Sequence, residues 1–338
     1  MNNQTIIATD SAIPTSPDTM HKASGKINIG LSACLAGHEV RYNGGHTQSR
    51  LCQNTLSKHF QFKTFCPEVA AGFSTPRPTM RLTGDPDSPT LSYTSGSSEN
   101  LTDQLTDGFR HKLEQFGELD GYILMRNSPS CGLERVKVYQ ENGYPHEKKS
   151  RGLFAQALRD RFPLMPLEEE GRLHDARLYE NFVLRVYAYH HFRTEVLAAP
   201  SMGKLIAFHS SYKYVLMAHN QTAYRKLGRL LGRGAKQAIN TLTAEYFQQF
   251  MSAISKPASK KNHTNTLLHI LGYLRKSVPS QARQNIAEVI KKYHQGVLPL
   301  VTPLTLLKHY LEQYGSDYIR NQRYLSPYPE SLGLANLL

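Results

Sequence analysis

The chain contains no apolar run approaching the roughly 18 residues that a membrane-crossing helix needs, so we expect no membrane span. Its first 26 residues, Met1 to Lys26, are polar and lack the apolar stretch of a secretory signal, so we expect a cytoplasmic protein. Cysteine is scarce, four in 338 residues. That number is too small for a disulfide framework, and without export the thiols are expected to stay reduced. No CxxC pair occurs, which weighs against a zinc finger and against a thioredoxin-like redox pair. Internal repeats and long low-complexity tracts are also missing.

What is present suits a folded protein of two domains: 40% hydrophobic and 20% charged residues. Residues 1–26, rich in Ser, Thr, Asn and Pro, read as a mobile tail without a part in the chemistry. The net charge of +13 is uneven. From residue 166 onward there are 22 Lys and Arg against 11 Asp and Glu. A basic half calls for an anionic partner, nucleic acid being the usual one, or is a solvated face with no partner.

Hydrophobic patterning divides the chain. Ile27–Leu31, Phe60–Phe65 and Gly121–Met125 read as strands. Leu101, Leu105, Phe109, Leu113 and Phe116 repeat as on an amphipathic helix, and a second helix is expected over Gly152–Phe162. Gly72 to Asn100, full of Pro, Gly, Ser and Asp, reads as a loop. Strands alternating with helices predict an α/β domain over 27–167 with a mainly parallel sheet. Glu168-Glu169-Glu170-Gly171 marks a boundary. From there the pattern is helical, broken at Pro257 and Pro279, and predicts an all-α domain over 173–323 and a loose tail over 324–338. Within it, Phe208, Tyr212, Val215 and His219 form a stripe that reads first as core, second as a surface that stacks bases.

Cys34, Cys66 and Cys131 each follow a predicted strand. Parallel strands present their carboxyl ends at one edge of a sheet, where ligands bind, so the three thiols should converge there. Reduced thiols serve as buried hydrophobes, metal ligands or nucleophiles. Cys66 and Cys131 stand beside Pro, Ser and Gly in tight turns, which favours a site; Cys52 has no such setting and reads as core. Dispersed single cysteines suit a metal or cluster assembled by tertiary structure, and three thiolates could hold three irons of a [4Fe–4S] cluster. Glu68, two residues past Cys66, is placed to move protons. Ser128 and Ser130 flank Cys131 in a turn whose free N–H groups would face an anion. Loops carrying Tyr42, Asn43 and Arg77 are candidates for the polar edge of a flat heterocycle.

Four blocks in order resemble the thiouracil desulfurase family: Leu31-Ser32-Ala33-Cys34-Leu35-Ala36-Gly37, Val40-Arg41-Tyr42-Asn43-Gly44-Gly45-His46, Cys66-Pro67-Glu68 with Pro76-Arg77-Pro78, and Ser128-Pro129-Ser130-Cys131-Gly132. The resemblance implies a [4Fe–4S] cluster ligated by Cys34, Cys66 and Cys131. Its open iron would take sulfur from a small thiolated heterocycle, with Glu68 as proton carrier and Ser128 and Ser130 near the substrate. Thr79-Met80-Arg81 departs from the acidic residue that many members have there. The second half resembles an uncharacterised helical domain of the YbgA type, through Ala207-Phe208-His209, Tyr212-Lys213-Tyr214, Met217-Ala218-His219 and Tyr224-Arg225-Lys226-Leu227-Gly228. Two other roles stay open at this level: a nucleic-acid-binding protein whose metal site is structural or acts on thiolated RNA, and a metal-free cysteine nucleophile paired with a histidine.

Overall fold

The computed structural model describes residues 26–95, 99–234 and 237–332. The tail expected over 1–26 therefore lies, but for Lys26, outside the described residues. Strands β1 (Ile27–Ser32) and β2 (Phe60–Phe65) form where expected and pair in parallel over six residues. A short helix α1 (Pro67–Ala70) follows β2 directly. The stretch read as one loop from Gly72 to Asn100 instead holds a hairpin, β3 (Met80–Thr83) and β4 (Thr90–Tyr93). Each strand has a single fully buried residue, Leu82 or Leu91, and that one-residue alternation is too short to stand out among Pro, Gly and Asp.

Helix α2 (Thr102–Leu113) buries the predicted Leu105 and Phe109. Next come β5 (Gly121–Leu124), β6 (Val138–Tyr139), α3 (Leu153–Arg161) and β7 (Leu167–Glu169). The main sheet has the order β2-β1-β5-β7 and is parallel throughout; β4-β3-β6 form a smaller mixed sheet. The central strands β1 and β5 are apolar on both faces, as parallel strands covered by helices must be. Tyr122 of β5 lies flat over Gly30 of β1, where a Cβ would come within 2.1 Å of its ring.

Two of the three glutamates read as a boundary are part of this sheet. Glu168 and Glu169 belong to β7 and are buried. Glu169 accepts the Leu133 and Glu134 N–H groups at 2.9 and 3.2 Å, and Glu168 takes the Arg172 guanidinium at 2.7 Å. The charges thus serve as acceptors inside the fold rather than as a solvated run.

Beyond them the chain is helical: α4 (Ala176–His191), α5 (Met202–Ser211), α6 (Lys213–His219), α7 (Gln221–Arg233), α8 (Ile239–Ala253), α9 (Lys260–Leu271), α10 (Ser280–His294), α11 (Val301–Tyr314) and α12 (Asp317–Arg320). Asp175 caps α4 by accepting the Arg177 and Leu178 N–H groups. Phe208, Tyr212 and Val215 of the stripe are core, as read first, whereas His219 at its end is only partly buried and lines a cavity; the chain bends at Tyr212 and divides the stripe between α5 and α6. The expected loose tail after Arg323 is corrected over its described part: Tyr324, Leu325, Tyr328 and Leu332 are buried against the helices. Their aromatic and aliphatic side chains outweigh the Pro and Ser spacing that suggested a tail. The buried apolar side chains of both halves join in one continuous core.

Candidate active site

The order β2-β1-β5 brings three strand ends to one edge of the main sheet. Cys34 sits in the single 3-10 turn Ala33–Ala36 that follows β1. Cys66 occupies the N-cap position of α1, where Pro67 suits the first helical turn. Cys131 sits in the turn after β5. The three thiols line one cavity of about 290 Å³. Burial pushes the Cys34 thiol up to about 11, with Cys66 and Glu68 adding to the rise and Arg41 opposing it. Cys66 is raised by burial as well, and Cys131, the deepest, is raised further by burial and then by Cys66, Glu68 and Cys34. Among the described residues, no three His, Cys, Asp or Glu side chains close on a point as ligands of one ion do. Cys52 is fully buried away from this cavity, in keeping with its reading as core.

The turn at Cys131 is capped from within. The Ser128 hydroxyl accepts the N–H groups of Ser130 and Cys131 at 3.2 and 3.0 Å. These N–H groups are therefore not free to face an anion, contrary to the expectation from sequence. Ser128 lines the cavity, whereas Ser130 is wholly buried behind it and donates to Glu68 Oε1 at 2.8 Å. The other Glu68 oxygen is paired with the Arg77 guanidinium.

Arg77 is more a scaffold than sequence suggests. It is 8% exposed, and its guanidinium also donates to the carbonyls of Val40 and Ser74 at 3.0 and 3.1 Å. It thereby locks the Tyr42 loop, the cis Thr75–Pro76 segment and Glu68 together. Tyr42 lies on the cavity rim, with the Arg41 guanidinium 5.7 Å from its ring centre. Asn43 is not among the cavity walls: its side chain accepts the Gly45 N–H at 3.2 Å and shapes the exposed loop. That makes it a turn residue beside the cavity.

Sequence reasoning also missed several groups here. Arg126 and Asn127 line the cavity, and Asn127 holds φ +57°, a conformation that Asn tolerates better than most residues. Their signal was position, directly before the Ser128 block. Ser32 lines the cavity, hydrogen-bonds the Cys131 thiol and accepts the Met125 N–H at 3.1 Å. Tyr122 is fully buried, within electrostatic reach of all three thiols, and its hydroxyl has no hydrogen-bond partner. Both residues look like ordinary core positions in a strand, so nothing in the sequence flags them.

Comparison with known proteins follows the same division of the chain. The pattern of the 2-thiouracil desulfurase family matches residues 29–170, and a family described as a protein of unknown function (DUF1722) matches residues 213–329. The uncharacterized protein YbgA of Escherichia coli (strain K12) is 33% identical over 159 residues, which are 47% of this chain and 94% of that protein. The uncharacterized protein YbbK of Bacillus subtilis (strain 168) is 34% identical over 108 residues, 30% of this chain and 71% of that one. The solved structure of a "[4Fe-4S]-dependent thiouracil desulfidase TudS" shares 27% identity, covers 47% of this chain and 99% of its own, and has a TM-score of 0.38.

Proposed function

The chain belongs with YbbK as a thiouracil-desulfurase-like domain in its first half and to the family of YbgA in its second, and on that premise we propose that it removes sulfur from a thiolated pyrimidine or related thioamide. Desulfuration as a class rests on the family. The cluster, the substrate and the residue roles are our reading, and one observation carries it: thiols from three separate strand ends share the wall of one buried cavity.

The donors fit a [4Fe–4S] cluster. The thiols are desolvated, as ligands of a buried centre are, and a cluster spreads its ligands over several irons, so they need not meet at a single point. The unpartnered Tyr122 hydroxyl has a donor to give to an anionic group beside the thiols. Cys34, Cys66 and Cys131 would hold the cluster, which supplies a soft Lewis-acid iron with an affinity for sulfur. Arg41 and Arg126 surround the cavity with positive charge, and Phe65, Met80 and Met125 wall it against water. Tyr42 at the rim offers a ring to stack on a flat substrate. Glu68, fixed by Arg77 and Ser130, holds or passes a proton at its carboxylate while C=S is exchanged for C=O. Water supplies the oxygen and its two protons leave with the sulfide, so no net oxidation or reduction occurs.

A metal-free nucleophile fits less well. It needs a thiol with a lowered pKa and a paired histidine, yet burial raises these thiols and no histidine is among the cavity walls. A role on thiolated RNA is favoured by one feature: α7 exposes Arg225, Lys226, Arg229 and Arg233. Steeply salt-dependent binding of RNA by the whole chain would support it.

The main test is oxygen-free reconstitution followed by iron, acid-labile sulfide and sulfide-release assays with 2-thiouracil. We expect the wild type and Cys52→Ala to load and react, and Cys131→Ala to lose both. Sulfide release by Cys131→Ala, or by protein free of iron, would overturn the reading.

A further inference from the structure

A second cavity lies far from the thiols in sequence, within the helical half. Its volume is about 670 Å³, within the usual range of roughly 300–1,000 Å³ for a small-molecule site. Its polar groups are sorted by charge. Inside stand His219, His263, Asn181 and Glu180. Burial pushes His219 down to about 4 and His263 down to about 3, so both rings are neutral at physiological pH. His219 Nδ1 faces the Val215 carbonyl at 2.8 Å and carries the proton, which leaves Nε2 as an acceptor beside the Asn181 amide at 3.4 Å. Glu180 is the lone carboxyl among the lining residues; burial raises it to about 7, and the Tyr328 hydroxyl donates to it at 3.1 Å.

The mouth is different. Arg177 and Lys260 are exposed there, Lys260 being the first residue of α9, a helix end whose Asn262 N–H is capped by the Ser259 hydroxyl and whose dipole favours an anion. The side wall is aromatic: the rings of Tyr324 and Tyr293 lie 5.8 and 6.5 Å from that of His263. Leu184, Leu300 and Leu304 also line the cavity.

A ligand matching this division has an uncharged, flat ring with donors and acceptors on its edge, joined to an anionic group. The ring can be desolvated inside without burying a charge, and it can stack on the aromatic side chains. We propose that this cavity is a binding site for a nucleoside monophosphate, its base among His219, Asn181 and Glu180 and its phosphate between Arg177 and Lys260.

The test is calorimetric titration of the full-length protein with AMP and UMP, alongside adenosine, uridine and inorganic phosphate. At least one nucleotide should bind below millimolar concentration, at least about tenfold tighter than its nucleoside and than phosphate alone. Arg177→Glu combined with Lys260→Glu, both at exposed positions, should bring nucleotide affinity down to that of the nucleoside. Ala258→Trp, which fills the cavity, should abolish binding; if that variant misfolds, the charge-reversed protein still decides. Three results would each overturn the proposal: no heat with either nucleotide at millimolar concentration, unchanged affinity in the charge-reversed protein, or phosphate binding as tightly as the nucleotide. Iron content and sulfide release enter none of these outcomes.

Discussion

At the scale of single residues, the three cysteines were legible by position, each just past an apolar strand, and Cys66 and Cys131 also by the Pro, Ser or Gly beside them. Their neighbours were less so. That Glu68 and Arg77 form a buried pair, and that Ser130 reaches Glu68 from 62 positions away, follows from how loops stack and has no trace in local spacing. Glu180 is a similar case: an unremarked residue of α4 becomes a buried carboxyl. Its effect on stability has a definite sign. In the unfolded chain it ionises near its ordinary value of 4.5, in the fold only near about 7. The stability it contributes is whole below the first value, falls between the two and is gone above the second. Glu180→Gln should therefore be more stable than wild type at pH 8, by at most on the order of 3 kcal/mol, and much closer to it at pH 5. Denaturant titrations of both proteins at the two pH values check this. His219 and His263 act in the opposite sense below their unfolded values, but equally in both proteins, so the difference isolates Glu180.

At the scale of elements, long periodic segments were readable and short ones were not. β1, β2, α2, β5 and α3 emerged near their observed bounds because four or more residues repeat one pattern. β3, β4 and β7 did not: β3 and β4 bury one side chain each, too little pattern to read, and in the three-residue β7 two of the three buried residues are charged. How elements touch was hidden as well. Gly152, at the start of α3, lies so close to the Cys131 turn that an added Cβ would come within 2.5 Å of Ser130 backbone atoms and 2.8 Å of Cys131 N. Gly152→Ala must push helix and turn apart. We expect iron retained after reconstitution to fall severalfold with helix content preserved, measured by metal analysis and circular dichroism. Full iron loading would show that the turn can yield without moving its thiol.

At the scale of the molecule, the sequence suggested two halves, and the described residues show how tightly they are joined. Val186 of α4 packs where a Cβ on Gly121 of β5 would stand within 2.9 Å. Asp120, 3% exposed in the first half, accepts from His190 and Arg193 of the second, each at 2.8 Å. Asp120→Ala removes one partner of a buried charged contact and should lower unfolding free energy by about 3 kcal/mol, measured by urea titration. An effect near zero would mean that apolar contacts alone carry the seam.

The segment after Arg323 closes that seam from the far side. Tyr328 packs its ring 6.4 Å from Tyr187, which in turn meets Phe60 of β2 at 5.9 Å, and the Ser331 backbone accepts from His59. A ribosome releases β2 long before it releases this segment. Until then Tyr187 lacks the Tyr328 ring and His59 its acceptor at Ser331, so these contacts across the seam of a nascent chain form only after the segment beyond Arg323 has emerged.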